Sequence, residues 1–396
     1  VPDSLTIAQL MHQGSLTFGD GYRTKRSEHG RPGLPILRVA EVHNGSIRPE
    51  FSDYVSDAYR SAMGAKISQP GDIVLTTKGT VGRVAIIPDD APPFVYSPQV
   101  CYFRVTESGT LDRRFLYYWF QGSEFWGQAR HRKSQTDMAD YLNMADIRSL
   151  RITVPERSQQ KAIARILGAL DDKIAVGSRI ATMADQLSSE LFRHAILMSS
   201  DQFTEQALSA TAEFINGRAF TKDATGTGRM VVRIAEINSG PGSSTVYNDI
   251  DVPEKHLARA GDVLFAWSGS LTVTRWFRPE AIINQHIFKC VPKNSFPQWL
   301  VSQLVHRKID EFRAIAADKA TTMGHIQRKH LDEPVPVPAQ EALSSLDAQI
   351  APLWERALLA EQENLALATL RDTLIPQLMS GRLRVRDAEK IVEDHV

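Results

Sequence analysis

The chain has 396 residues, enough for two domains that each bury a core, and its 42% hydrophobic and 23% charged content excludes wholesale disorder. It balances 46 basic against 46 acidic residues, so bulk positive charge is excluded as a basis for nucleic-acid binding, which would have to rest on local basic patches or on partner subunits. No run approaches the roughly 18 consecutive apolar residues of a membrane span, and Val1 to Gln13 lacks the basic and apolar regions of a signal peptide.

Residues 1–155 read as a first domain of short β-forming runs broken by Gly-Asp, Lys-Gly and Pro-rich turns. Within it, Leu111 to Arg130 places aromatic and aliphatic residues at i, i+3, i+4 spacing and is expected to be helical. Residues 156–199 read as one long helix. Ile163, Leu167, Leu170, Ile174, Gly177, Ala181, Ala184, Ser188 and Leu191 alternate steps of four and three, the seam of a coiled coil. Residues 200–338 form a second domain, with a helix expected over Phe296 to Ala316. Residues 339–381 give a second long helix, whose seam runs Leu346, Ile350, Leu353, Ala357, Ala360, Asn364, Leu367, Arg371, Leu374 and Leu378, and 382–396 are a tail. The small residues midway would let two such helices approach closely, and Asn364 would fix their register. Cys101 and Cys290 lie in strand-like runs without CxxC spacing; they read as buried, reduced thiols, from which a cytoplasmic location follows.

The chain is written twice. Leu37-Arg38-Val39-Ala40-Glu41-Val42 returns as Val232-Arg233-Ile234-Ala235-Glu236-Ile237, and Pro70-Gly71-Asp72-Ile73-Val74-Leu75 returns as Ala260-Gly261-Asp262-Val263-Leu264-Phe265. The glycine turn Lys78-Gly79-Thr80 then matches Ser268-Gly269-Ser270, Ser97-Pro98-Gln99-Val100 matches Asn284-Gln285-His286-Ile287, and Pro155 matches Pro338. The offset shrinks from 195 residues at Arg38 to 183 at Pro155, as it should when loops differ between two copies of one fold. The fold class expected is therefore α+β: two repeated mixed α/β domains separated by two long antiparallel coiled-coil helices, related by a pseudo-twofold.

These runs resemble a known family. Gly71-Asp72-Ile73-Val74-Leu75-Thr76 with its Lys78-Gly79 turn, Ser97-Pro98-Gln99-Val100, Asn284-Gln285-His286-Ile287-Phe288-Lys289, and Gln159-Gln160-Lys161 running into Leu170-Asp171-Asp172-Lys173 are similar to type I restriction–modification specificity subunits. So is the ending Leu370-Arg371-Asp372-Thr373-Leu374-Ile375-Pro376-Gln377-Leu378. The resemblance covers essentially the whole chain, although Ala339-Gln340-Glu341-Ala342 departs from the pattern at the start of the second helix. It implies two target-recognition domains, each reading one half of a bipartite site in double-stranded DNA. It also implies modification (methyltransferase) and restriction (motor-nuclease) subunits as partners. A paired-helix spacer suits that task, because two readers on a duplex that repeats every ~34 Å must be held at a fixed separation.

DNA contact then falls to polar residues on turns and helix ends. In the first domain these are Lys78, Thr80 and Arg83 around glycines, Gln99 at a strand start, and Arg130, Arg132, Lys133, Ser134 and Gln135 in the densest basic run of the chain. Their counterparts in the second are Ser268, Ser270, Arg275, Gln285, His286, Lys319, Thr321, Thr322 and His325. The other reading of the basic run, which DNA contact outweighs, is a solvated helix C-terminus satisfying the helix dipole. Gln99, Gln285 and His286 could equally be buried groups satisfying backbone, and Trp267 reads as core.

Enzyme readings find little support. Ala91-Pro92-Pro93-Phe94 has the shape of an adenine-methyltransferase motif without its polar anchor, Gly226-Thr227-Gly228 is a lone GxG, and no GxxxxGK[ST] occurs. His325 and His330 are flanked by basic residues, so no metal and no cofactor is expected, and Asp72 and Asp262 read as turn caps. The alternatives are a helical scaffold that reads no DNA, or a catalytic subunit with unrecognised motifs.

Overall fold

The computed structural model describes residues 3–48, 50–107, 109–132, 134–135, 140–318 and 324–394. The chain divides into two units, Val1–Asp172 with Ala368–Val396, and Lys173–Leu367.

Unit 1 is built on a four-stranded antiparallel sheet of β1 (Leu16–Gly19), β2 (Ile73–Thr76), β3 (Val84–Ile86) and β4 (Val100–Val105), in the order β1-β4-β2-β3. Every side chain of the central strand β2 is buried, because both faces of the sheet are covered. On one face Phe103 of β4 packs on Phe18 at 5.3 Å and on Phe120 at 4.7 Å, below helices α1 (Arg113–Trp119) and α2 (Ser123–Arg132). On the other, Val74 and Tyr102 join Leu37, Phe94 and Tyr96, which belong to or flank a small second sheet. The expected single helix over Leu111 to Arg130 is thus two. Gly122 closes a turn onto the Trp119 carbonyl and the aromatic cluster of Trp119, Phe120 and Phe125 fills the corner. From Arg157 the chain enters the long helix α3 (Arg157–Met198).

Unit 2 repeats the design. Its sheet comprises β5 (Ala212–Asn216), β6 (Val263–Ala266), β7 (Thr272–Arg275) and β8 (Ile287–Pro292), in the equivalent order β5-β8-β6-β7. The register repeats pair for pair: Ile73↔Phe103 becomes Val263↔Cys290, and Leu75↔Val84 becomes Phe265↔Val273. Here the covering helix α4 (Gln298–Asp318) is unbroken. Phe203–Ala207 pairs with the Pro-rich strand Pro334–Pro338, whose prolines alternate with Val335 and Val337, so that the missing N–H groups fall where no ladder bond is needed.

The second long helix, α5 (Gln340–Met379), joins both units, as α3 does. Within unit 2 the two run antiparallel and meet through small residues: Ala181 and Ala184 bury against Ala357 and Ala360, and the Asn364 amide donates to Ser178 Oγ at 3.0 Å. Farther along, Phe192 of α3 and Leu346 and Ile350 of α5 enter the core of the unit-2 sheet and α4. Within unit 1, Asp171 accepts from Arg371 at 2.7 Å and from the Tyr118 hydroxyl at 2.6 Å, beside the buried Leu167, Leu170, Leu374 and Leu378.

The departure at the start of the second helix has a physical reason. Gln160 is fully buried, donates to the Thr110 and Pro155 carbonyls and accepts from the Asp112 amide. The matching position after Pro338 is Leu343, which fills its site with apolar surface, so no polar partner set is needed there. Among the described residues no helix is long and apolar enough to cross a membrane.

Candidate nucleic-acid interface

The turn after β2 is set by two glycines and one buried hydroxyl. Gly79 and Gly82 have φ of +81° and +96°, and a Cβ on Gly82 would lie 2.1 Å from the Trp126 ring of α2. Thr76 Oγ1 donates to the Thr80 carbonyl at 2.5 Å and accepts from the Arg83 amide at 2.9 Å, closing the loop beneath its tip. Lys78, Gly79 and Thr80 are left exposed.

Three separate stretches of chain join at this end of the sheet. The Thr77 amide donates to the Gln99 carbonyl at the start of β4, the Leu142 amide donates to the Thr77 carbonyl, and Lys78 bridges to Tyr141. Tyr141 in turn belongs to a two-residue ladder with Ser134–Gln135, so the basic run after α2 is tied by its backbone to the same place. Burial pushes the neighbouring Cys101 thiol up to about 12, which keeps it neutral.

Unit 2 makes the same joint with different side chains. The Trp267 amide donates to the His286 carbonyl, the Ile326 amide donates to the Trp267 carbonyl, and Ser268 bridges to His325. The Trp267 ring lies 5.1 Å from the His286 ring and 6.3 Å from that of His325, and its Nε1 donates to Asn216 Oδ1 at 2.8 Å. Both copies need a glycine where the first strand passes the joint. A Cβ on Gly21 would lie 2.1 Å from the Ser97 carbonyl oxygen, and one on Gly217 would lie 2.0 Å from that of Asn284.

The expected contact residues divide clearly. Lys78, Thr80 and Gln99 in unit 1, and Ser270, Gln285, His286 and His325 in unit 2, are exposed at the two joints. Arg130 is exposed one turn from Trp126, to whose carbonyl its Nε donates. Arg83 is half-buried, with its guanidinium toward the Val39 and Val42 carbonyls, and braces the turn. Ser268 is buried in the joint itself. The expectation for Arg275 is corrected: its side chain is 4% exposed, ion-paired with Asp185 and Glu361 and stacked on Trp354, so it has no surface to offer a phosphate. Lys133, Lys319, Thr321 and Thr322, and the side chains of Arg132, Ser134 and Gln135, lie outside the described residues.

Sequence reasoning missed Trp267, Asn216 and Tyr141. Trp267, read as core, is half-buried: one face stacks on Phe288 against the core, while the ring also reaches the histidines at the joint. The signal that could have found Asn216 was the pair Asp20-Gly21 and Asn216-Gly217, a further match in the repeat. Among the described residues no group of three or more His, Cys, Asp or Glu is placed to hold a metal ion.

Comparison with known proteins places this architecture. Residues 20–182 match the type I restriction modification DNA specificity domain. The type I restriction enzyme MjaIX specificity subunit of Methanocaldococcus jannaschii is 19% identical over 98% of this chain and 95% of its own length. The MjaVIII specificity subunit of the same organism is 23% identical over 44% of this chain, a match that spans 41% of that relative. The crystal structure of the type I restriction–modification system S subunit from M. genitalium shares the fold, with a TM-score of 0.55 over 95% of both chains at 14% identity.

Proposed function

We propose that this chain, whose residues 20–182 belong to the type I restriction modification DNA specificity domain family, is the non-catalytic DNA-recognition subunit of a type I restriction–modification complex. Residues 1–155 and 200–338 are its two target-recognition domains, each reading one half of a bipartite site in double-stranded DNA. Residues 156–199 and 339–381 supply the helices that carry them, and 382–396 form the tail. Methylation and restriction belong to partner subunits.

One observation carries this reading. A single backbone joint of three stretches of chain recurs in both units at the same end of the equivalent sheet, and it exposes hydrogen-bonding side chains, Lys78, Thr80 and Gln99 in unit 1 and Ser270, Gln285, His286 and His325 in unit 2. Groups such as Gln99 and His286 are of the type that reads base edges, while Lys78, Thr80 and Ser270 are of the type that positions phosphate. With zero net charge the affinity must come from such local sets and from partners. In unit 2, α3 also carries apolar residues Val176, Met183 and Leu187, seven and four positions apart along the helix and each at least half exposed. A modification subunit would cover them. We place the chain in the cytoplasm, in keeping with two unpaired, buried cysteines.

Selection from a pool of degenerate duplexes by the full chain, with its modification subunits where binding requires them, tests the proposal. A bipartite consensus with two constant halves is expected, with affinity falling as salt rises. Binding without sequence preference, or none, would overturn it.

A further inference from the structure

We propose that residues 99 and 286 are equivalent specificity-determining positions, and that Gln99 selects an adenine in its half-site while His286 selects the base at the corresponding place in the other. The inference rests on the DNA-reading function proposed above and names the residues that would carry it.

The equivalence comes from the backbone. The carbonyl of residue 99 accepts the amide of Thr77, and that of residue 286 accepts the amide of Trp267. Residues 77 and 267 each follow the central strand directly, and residues 99 and 286 each precede the strand paired with it. Each carbonyl is thereby fixed inward. Both side chains are exposed, on the rim where the turn, the strand start and the segment around Tyr141 or His325 meet. Two such positions, held alike by the main chain and filled differently, are what two half-sites of different sequence require.

The side chains differ in what they can read. Gln99 carries a carbonyl and an amide side by side, which matches the N7 acceptor and N6 donor edge of adenine in the major groove. His286 offers a ring with one donor and one acceptor in its neutral form, supported on an aromatic ring that Thr77 does not supply in the other unit. Its backbone is also unusual. His286 has φ +72°, a left-handed conformation that glycine would adopt without strain, yet a ring is kept there. That backbone conformation places the imidazole 5.1 Å from the Trp267 ring while the carbonyl still accepts the Trp267 amide. The nearby groups that would share the contact are Asn216, bonded to Trp267 Nε1, with Gln285 and His325 on either side of the joint.

The test uses the full chain with its partner subunits, the degenerate-duplex selection, and two variants. His286→Asn suits the left-handed backbone and presents an adenine-reading amide. It should move one position of one half-site to adenine and leave the other half unchanged. Gln99→Ala should relax one position of the other half-site, with a roughly 5- to 150-fold loss for the original base pair. An unchanged consensus in both variants, from a wild-type chain that does select a bipartite site, would overturn the inference and leave the function standing. A shift of both halves by either variant would overturn it too. If the wild-type chain selects no site, the function itself fails. Should His286→Asn not fold, judged by its melting curve, the Gln99→Ala result still decides.

Discussion

Gly177 of α3 lies against the side chain of Asn364 of α5: a Cβ at Gly177 would come within 2.2 Å of Asn364 Oδ1, the amide whose nitrogen donates to Ser178. Such a contact exists only where the two backbones approach closely, and it explains the small residues along both seams. Substitution by Ala should be nearly neutral. A gain of ~1 kcal/mol in helix propensity offsets a similar loss of about 1 kcal/mol if the Asn364–Ser178 bond is displaced. Gly177→Leu has no such compensation and should cost roughly 1–3 kcal/mol by overpacking. Urea unfolding of the two variants measures the difference; equal stabilities would show that the helices are not held together there.

Arg275 binds the unit-2 sheet to both long helices. It is nearly fully buried, and removing it leaves Glu361 without its cation. Arg275→Met should therefore cost about 3 kcal/mol at neutral pH. Burial raises the Glu361 carboxyl pKa, and Arg275 holds it down. Without Arg275 the folded carboxyl takes up a proton more readily than the unfolded one, so the penalty should shrink as pH falls toward the ordinary carboxylate range. Unfolding followed at pH 7 and pH 5 checks the sign. A penalty that grew on acidification would contradict the assignment.

His256 gives the second domain an acid-sensitive point. Its ring is 3% exposed, and neither ring nitrogen has a hydrogen-bond partner. Burial lowers its pKa, with Arg218 and Lys255 adding to the effect. The unfolded imidazole, at about 6.5, then binds its proton before the folded one. The stability is full above that value and is lost as pH falls through it toward the depressed folded pKa. His256→Leu should remove this loss without weakening the protein at pH 8, since an unsatisfied buried polar group is replaced by an apolar one. Melting temperatures of both proteins between pH 8 and pH 5 report it. Parallel curves would mean that His256 is not the titrating group.

Much of this was legible in the sequence. The doubled Gly-Asp turn and strand runs gave the repeat, because turn chemistry and burial on both faces are local demands on residue type. The seam from Ile163 to Leu191 gave the long helix for the same reason, and the meeting of Ala181 and Ala184 with Ala357 and Ala360 bears it out. The joints were legible only in part. Lys78 and Gln99 stood out by type, but the joint is made by the Thr77 amide on the Gln99 carbonyl and by backbone bonds from Thr77 and Lys78 to residues 142 and 141, which no local pattern encodes. Arg275 was misread because its partners, Asp185 and Glu361, are some 90 residues away on either side. Trp267 was read only in part, because a tryptophan can stack one face on a core and still present its N–H to a joint.

The central claim, that each recognition domain directs its complex to one half of a bipartite site, is tested most directly by mapping modified bases across the genome of a host that carries the complete system. The map is made with this gene intact, deleted, and altered at His286 alone. A single bipartite motif should be modified in the first case and unmodified in the second. In the third, only one of its halves should change. Modification that persists at the same motif after deletion would contradict the account.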